Sequence, residues 1–336
     1  MRTVGFIVRC MKLLLRLMGV VLVTVLVFAV AGIMATWAPD KPVEALKARW
    51  AQAPSQFIDV NIDDIGLQVH LRDEGPRDDA EPIVLLHGTS ASLHTWDGWT
   101  QALIAQRRVI RFDLPAFGLT GPRPDNRYTM DAYVQFVLAT LDKLGVQRFV
   151  LGGNSLGGQI AWGTAHAAPQ RVTRLILVDA GGYVFTPKSV PIGFTIARTP
   201  GLRTLMEYTL PRGVVKKSVE NVYGNPARVT PELIDRYYEL TLRAGNRKAL
   251  AYRMDQGLAG HEADIKTLKL PALILWGAKD ELIPLENGRA FARDIPGSRL
   301  VVFDGLGHVP HEEDPVATVL EVKKFLHWRA IVKVTP

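Results

Sequence analysis

The 336-residue sequence predicts an α/β architecture, a mostly parallel eight-stranded sheet flanked by helices, with an all-helical insertion and an N-terminal transmembrane helix. Three observations lead there. Past residue 56, short apolar runs alternate with longer segments of helical period, as a parallel sheet with helical crossovers requires. From about Tyr183 to His261 that rhythm stops, leaving helix-like pieces and no convincing buried strand. The first 37 residues contain an apolar run long enough to cross a bilayer. The expected organisation is a leader and anchor over 1–37, a linker over 38–55, a core built from 56–182 and 263–330, and a helical cap over 183–262.

From Leu17 to Trp37 the chain is apolar except for Gly19, Thr24, Gly32 and Thr36. At about 1.5 Å per residue the run spans roughly 30 Å, the hydrocarbon thickness of a membrane. Arg2, Arg9, Lys12 and Arg16 precede it, while Asp40 and Lys41 behind it nearly cancel. The positive-inside bias then keeps the N-terminus cytoplasmic and places the rest of the chain on the exported side. A cleaved signal peptide is the rival, with Ala29-Val30-Ala31 as its processing site. The run continues apolar past Ala31 to Trp37, which favours a retained anchor. Residues 38–55, with Pro39, Pro42 and Pro54, read as a short stalk or surface helix.

Hydrophobic residues make up 48% of the chain and charged residues 22%, so the body is not a disordered segment. The net charge of +7 raises nucleic-acid binding, but the cations are scattered and no basic motif interleaved with aromatics occurs. A basic surface near anionic lipid headgroups is the expectation instead. The single cysteine, Cys10, lies in the leader and excludes an intrachain disulfide scaffold.

Phe57 to Asn61 and Leu67 to Asp73 read as an opening antiparallel pair. Further strands are expected at Pro82 to His87, Arg108 to Asp113, Arg148 to Gly152, Arg174 to Asp179, Ala272 to Gly277 and Arg299 to Phe303. Met130, Tyr133, Val134, Val137, Leu141 and Leu144 recur at helical spacing, with Thr129 as N-cap and Gly145 past the end. Ile160 to Ala168 and Glu232 to Ala244 behind Thr230-Pro231 are further helices. Asp314-Pro315 opens a final one to about Trp328.

The chemistry concentrates where strands end. Gly153-Asn154-Ser155-Leu156-Gly157 follows the apolar strand Phe149-Val150-Leu151. A G-x-S-x-G alone is weak. Between a strand and a helix it becomes specific, because small residues two before and two after the serine let the strand and helix pass while the turn exposes the hydroxyl. A serine hydroxyl needs a base, and the base needs a group fixing its tautomer. Asp280 lies beyond the strand Leu273-Ile274-Leu275-Trp276-Gly277, and Gly307-His308 lies beyond Val301-Val302-Phe303. All three therefore project from the C-terminal edge of the sheet, where open α/β sheets place their sites. Asp179 also ends a strand and is the alternative acid.

His311 reads as a helix-entry or supporting residue, His87 as a brace for its loop, and His94 as a residue of a helix start or of the pocket. Neither a zinc motif nor a nucleotide-binding glycine motif is present, so neither a metal nor a cofactor is expected.

These pieces resemble the α/β-hydrolase family. The matching segments are Leu86-His87-Gly88, Asp113-Leu114-Pro115-Ala116-Phe117-Gly118, the serine elbow, Trp276-Gly277-Ala278-Lys279-Asp280 and Gly307-His308-Val309-Pro310-His311-Glu312. The likeness covers about residues 57 to 330 apart from the insertion, with Ala116 standing where relatives usually have glycine. It implies an α/β-hydrolase fold with Ser155 as nucleophile, His308 as base and Asp280 as orienting acid, the same three that the spacing marks. The oxyanion hole it implies comprises the backbone N–H groups of Leu156 and of the His87-Gly88-Thr89 turn, at Thr89.

The fold hosts many chemistries, so the site must decide among them. Serine at the elbow argues against the relatives that use aspartate there. Hydrolysis of a small-molecule carboxylic ester through an acyl-enzyme is the leading expectation. The alternative is carbon–carbon bond hydrolysis of β-diketone-like ring-cleavage products, whose enzymes have a similar elbow but commonly carry tryptophan where this chain has Val309. A binding protein that has lost catalysis is the third reading.

Overall fold

A computed structural model of the chain describes residues 2–258 and 260–327. Eight strands form one sheet: β1 (Gln56–Ile62), β2 (Ile65–Glu74), β3 (Ile83–Leu86), β4 (Val109–Phe112), β5 (Phe149–Asn154), β6 (Val172–Val178), β7 (Ala272–Gly277) and β8 (Arg299–Phe303). Their spatial order is β1-β2-β4-β3-β5-β6-β7-β8. The β1–β2 and β2–β4 pairs are antiparallel and the others parallel.

The period of two in each strand divides the core into two layers. Ile83, Leu85, Val150, Leu273 and Leu275 face one side and pack with Trp96, Trp99 and Phe325. Val84, Leu86, Leu151, Ile274 and Trp276 face the other and pack with Phe136, Ile160 and Trp162. Both faces are thus covered by helices, and the inner strands read as continuous apolar runs for that reason.

The helix Met130–Lys143 has the expected cap, the Thr129 hydroxyl accepting from the Ala132 N–H at 3.4 Å. In the final helix, Pro315–His327, the Asp314 carboxylate accepts from the Ala317 N–H at 3.0 Å; Trp328 lies outside the described residues. Two helix boundaries differ from expectation. The helix after the serine starts at Leu156 rather than Ile160. Gly157 and Gly158 are weak helix formers, but packing against β3 and β6 overrides propensity there. The insertion helix ends at Thr241 rather than Ala244. Its continuation is diverted by Gly245 at φ 85° and by the Ala244 N–H, which donates to the Lys41 carbonyl at 2.8 Å.

Between β6 and β7 the chain forms the helices Ile192–Arg198, Leu202–Met206, Arg212–Val222, Pro231–Thr241, Asn246–Gln256 and Glu262–Ile265. These have their own small core, in which Leu210, Val215, Val219 and Ile234 meet Val309 from the sheet edge and Ala38 from the N-terminal side.

The N-terminal helix runs from Arg2 to Ala35 and contains a 25-residue segment, Met11–Ala35, long and apolar enough to cross a membrane. Of the two forms expected for residues 38–55, stalk or surface helix, the chain takes the helical one. It forms the helix Val43–Trp50, whose Leu46 is buried against Leu119 and Leu240. Arg49 pairs with Asp235 and Glu239, and the Trp50 indole donates to Glu239 at 2.7 Å.

Candidate active site

Ser155 stands between β5 and the helix Leu156–Ala167 with φ 55° and ψ −116°, a conformation that costs a non-glycine residue on the order of 1–3 kcal/mol. Three main-chain hydrogen bonds hold it: its N–H donates to Val178 at 3.0 Å, and its carbonyl accepts from Gln159 and Gly181, both at 3.0 Å. The neighbouring glycines are required by contact. A Cβ on Gly153 would lie 2.2 Å from the Gly157 backbone, and one on Gly157 would lie 2.2 Å from the Leu86 carbonyl oxygen. The turn is therefore tight enough to present the serine side chain at the sheet edge.

His308 lies five residues past β8. Its Nδ1 meets Asp280 Oδ2 at 2.7 Å, and both residues are buried. The other Asp280 oxygen accepts from the backbone N–H groups of Leu282 and Ile283 at 2.8 and 2.9 Å. A carboxylate held by two amides on one side and an imidazole on the other is locked in one rotamer, and it orients the ring in turn.

Two supporting residues had no role assigned from the sequence. Asn154 Nδ2 donates to the His308 carbonyl at 2.9 Å and to Val178 at 3.1 Å, tying the serine turn to the histidine loop. Its place inside the elbow motif was the available signal. Glu313 accepts from Gly307 N and Gly224 N at 2.9 Å and from Asn225 N at 2.8 Å. The His308 N–H also donates to Val222 at 2.8 Å. The insertion is thereby stitched to the histidine loop through contacts 86 to 89 residues apart in sequence, which no local pattern announces.

Asp179 is fully buried beside Asp280, and one oxygen from each of them, with a His308 nitrogen, lies within 4.8 Å of the others. Burial, and then the charge of Asp280, push the Asp179 carboxyl well above the usual carboxylate range. One of its oxygens accepts from Gly277 N at 2.9 Å. The cluster makes a poor cation site, because both Asp280 oxygens are already engaged, one by His308 and the other by the Leu282 and Ile283 N–H groups. The His308 ring is bonded to Asp280, not to Asp179.

His87, His94 and His311 are each held by contacts outside the Ser155–His308 pair. His87 Nδ1 lies 2.7 Å from the Gly88 carbonyl, and its Nε2 accepts from Leu114 N at 2.9 Å, bracing the loop. His94 is held between Ser92 and the Trp50 carbonyl, and burial pushes it down to about 3. His311 packs at a tilt against Trp96, with centroids 4.0 Å apart, and meets Thr95 at 3.0 Å. Ala116 adopts φ 82°, which explains why glycine suits that position better.

Ser155 and His308 open into a cavity of about 280 Å³. Gly88 and Thr89 line its wall near the serine, while Leu202, Leu210 and Val215 of the insertion form the opposite side. Leu156 contributes no lining side chain; as the first residue of its helix it has a backbone N–H without an intrahelical acceptor. Among the described residues, none that line the cavity is Lys, Arg, Asp or Glu. Lys279 is exposed to solvent. Arg236, beside the lining residue Tyr237, is paired with Glu312, which also accepts from the Tyr237 hydroxyl at 3.0 Å.

A doubly covered parallel sheet with a serine on a strained strand-to-helix turn defines an α/β hydrolase. The model of the alpha/beta hydrolase family matches residues 83–322, and the chain belongs to that family. It is 30% identical over 285 residues to a 2-hydroxymuconate semialdehyde hydrolase of Pseudomonas putida, covering 82% of this chain and 96% of the relative. A meta-cleavage product hydrolase of Pseudomonas fluorescens superposes with a TM-score of 0.68 at 25% identity, over 80% of this chain and 97% of the other. A thermophilic esterase of Thermogutta terrifontis superposes with a TM-score of 0.66 at 25% identity, over 81% and 98%.

Proposed function

We propose that the protein is a serine hydrolase that cleaves carboxylic esters of apolar acyl groups through an acyl-enzyme. In this reading Ser155 Oγ attacks the carbonyl carbon while His308, oriented by Asp280, takes its proton and passes it to the leaving alkoxide. A water activated by His308 then attacks the acyl-enzyme, and the acid departs as Ser155 recovers its proton. The N–H groups of Thr89 and Leu156 stabilise the tetrahedral oxyanion. Residues 183–262 act as a cap that shapes the acyl site. The N-terminal helix holds the chain to a membrane with its N-terminus cytoplasmic and the catalytic domain exported.

The observation that carries the ester reading is the cavity lining. An ester needs an oxyanion hole and a proton donor, and an apolar wall receives its chain. A ring-cleavage dienoate brings a carboxylate and a developing dienolate, which need cationic or polar partners. Among the described residues no Lys or Arg lines the cavity, and Arg236 is already paired with Glu312. Of the polar lining groups beyond Ser155 and His308, Asn154 and Tyr237 are bonded elsewhere, leaving Thr89, Ser90, Thr209, Ser218 and Thr241 as small hydroxyls.

Carbon–carbon bond hydrolysis is the second reading, and the names of the relatives favour it over ester hydrolysis. The Pseudomonas putida relative, at 30% identity, and the superposed meta-cleavage product hydrolase are both hydrolases of that kind. Steady-state kinetics over a panel of p-nitrophenyl esters and 2-hydroxy-6-oxo-dienoates separates the two. Esters should be turned over with the higher kcat/KM, and Ser155→Ala should abolish turnover. A kcat/KM for a dienoate above that for every ester would establish the second reading instead.

A further inference from the structure

We infer that the cavity draws its substrate, the acyl ester of a membrane lipid, directly from the bilayer that holds the N-terminal helix. The entry lies where Thr36–Ala38 joins the insertion at Tyr208–Leu210. This rests on the ester reading and on a retained N-terminal helix, and it adds the source and class of the ester.

The apolar segment Met11–Ala35 has a mean hydropathy of 2.8 and is unburied along its length, so it is not a core helix of the catalytic body. The chain leaves it without slack. The Leu210 N–H donates to the Thr36 carbonyl at 3.0 Å, and the Ala38 N–H donates to the Tyr208 carbonyl at 2.9 Å. Trp37 pairs antiparallel with Thr209, and its ring stacks on Tyr208 with centroids 5.7 Å apart. Ala38 is buried in the insertion's own core. Three residues reach at most about 10 Å, so the insertion is held close to the membrane end of the helix.

The stretch clamped in this way is also a cavity wall. Leu205, Met206, Thr209 and Leu210 line the cavity that holds Ser155 and His308. On its outer side the same region leaves large apolar groups in solvent: Trp37 is 56% exposed, Tyr208 51% and Leu202 47%. Aromatic residues with a polar edge are favoured at the headgroup level of a membrane, directly past a spanning helix. An apolar patch continuous with both the spanning segment and the cavity wall gives an acyl chain a path without crossing water.

The test uses the full-length protein reconstituted in phosphatidylglycerol–phosphatidylethanolamine vesicles, with released fatty acid and soluble p-nitrophenyl butyrate hydrolysis both measured. Two variants weaken the coupling without touching the site: a ten-residue Gly/Ser insertion between Ala35 and Thr36, and Tyr208→Glu. The insertion adds a flexible span of roughly 17 Å. Release of fatty acid from vesicles should fall about tenfold or more in both variants, as the apolar contact with the leaflet is lost, while butyrate hydrolysis stays within about twofold. Butyrate turnover by the wild type without fatty-acid release from its vesicles overturns the inference and leaves the ester reading standing. Release that both variants sustain at the wild-type rate overturns it as well. Absence of turnover on both substrates removes the ester reading, and this inference with it.

Discussion

The side-chain amide of Asn154 donates to the main-chain carbonyl of His308 at 2.9 Å, joining the residue before the serine to a loop 154 positions away. The same amide donates to Val178 at 3.1 Å. One buried side chain therefore sets the spacing between the serine turn and the histidine loop.

Asn154→Ala leaves the buried His308 carbonyl without its donor, while the Val178 carbonyl keeps the Ser155 N–H. Stability should fall by about 1–3 kcal/mol in urea denaturation. Because the two loops lose their tie, kcat should fall more than KM rises. A variant with wild-type kcat and reduced stability would limit Asn154 to a structural role.

Asp280 and Asp179 flank the same histidine but should behave differently. Asp280→Asn should lower kcat by about 10⁴, the scale seen when the orienting acid of a triad is neutralised. His308→Ala should be at least as damaging. Asp179→Asn should leave kcat nearly unchanged, since it makes no hydrogen bond to the ring. Severe loss in Asp179→Asn with a mild effect in Asp280→Asn would exchange their roles.

The pH dependence of stability should expose the raised pKa of Asp179. Burial and the charge of Asp280 raise its folded pKa well above the ordinary value of 3.8. Its contribution to stability is then complete below 3.8 and is lost as pH rises toward the folded value. Asparagine keeps an acceptor for Gly277 N and has no proton to lose. Asp179→Asn should therefore be more stable than wild type at pH 7, with the advantage shrinking as the pH falls toward 3.8. Thermal unfolding across that range measures it, and an advantage that grows toward acid would contradict the assignment.

At Ala116 the backbone has φ 82°, where a Cβ is strained. Ala116→Gly should stabilise the fold by about 1 kcal/mol, the relief from left-handed strain exceeding the added entropy of the unfolded chain. A loss of stability on this substitution would show that the methyl group's packing outweighs the strain.

The two layers of the core, all eight strands and the position of each loop past a strand end were legible in residues 56–327. Apolar periodicity and glycine placement are local properties, and a parallel sheet leaves little freedom in where strand ends lie. The strained serine turn was legible for the same reason: Gly153 and Gly157 stand where a Cβ would collide with backbone. The sequence put Asp280 ahead of Asp179 as the acid from its position in the loop after the strand. The folded chain adds the contact itself, because the 2.7 Å approach of His308 to Asp280 depends on how two loops close over the sheet edge. The early helix start at Leu156, the docking of Val43–Trp50 on the insertion and the ties from Glu313 to Gly224 and Asn225 were also decided by tertiary structure. Each depends on partners distant in the chain, whose meeting is set by packing free energy and not by any local preference.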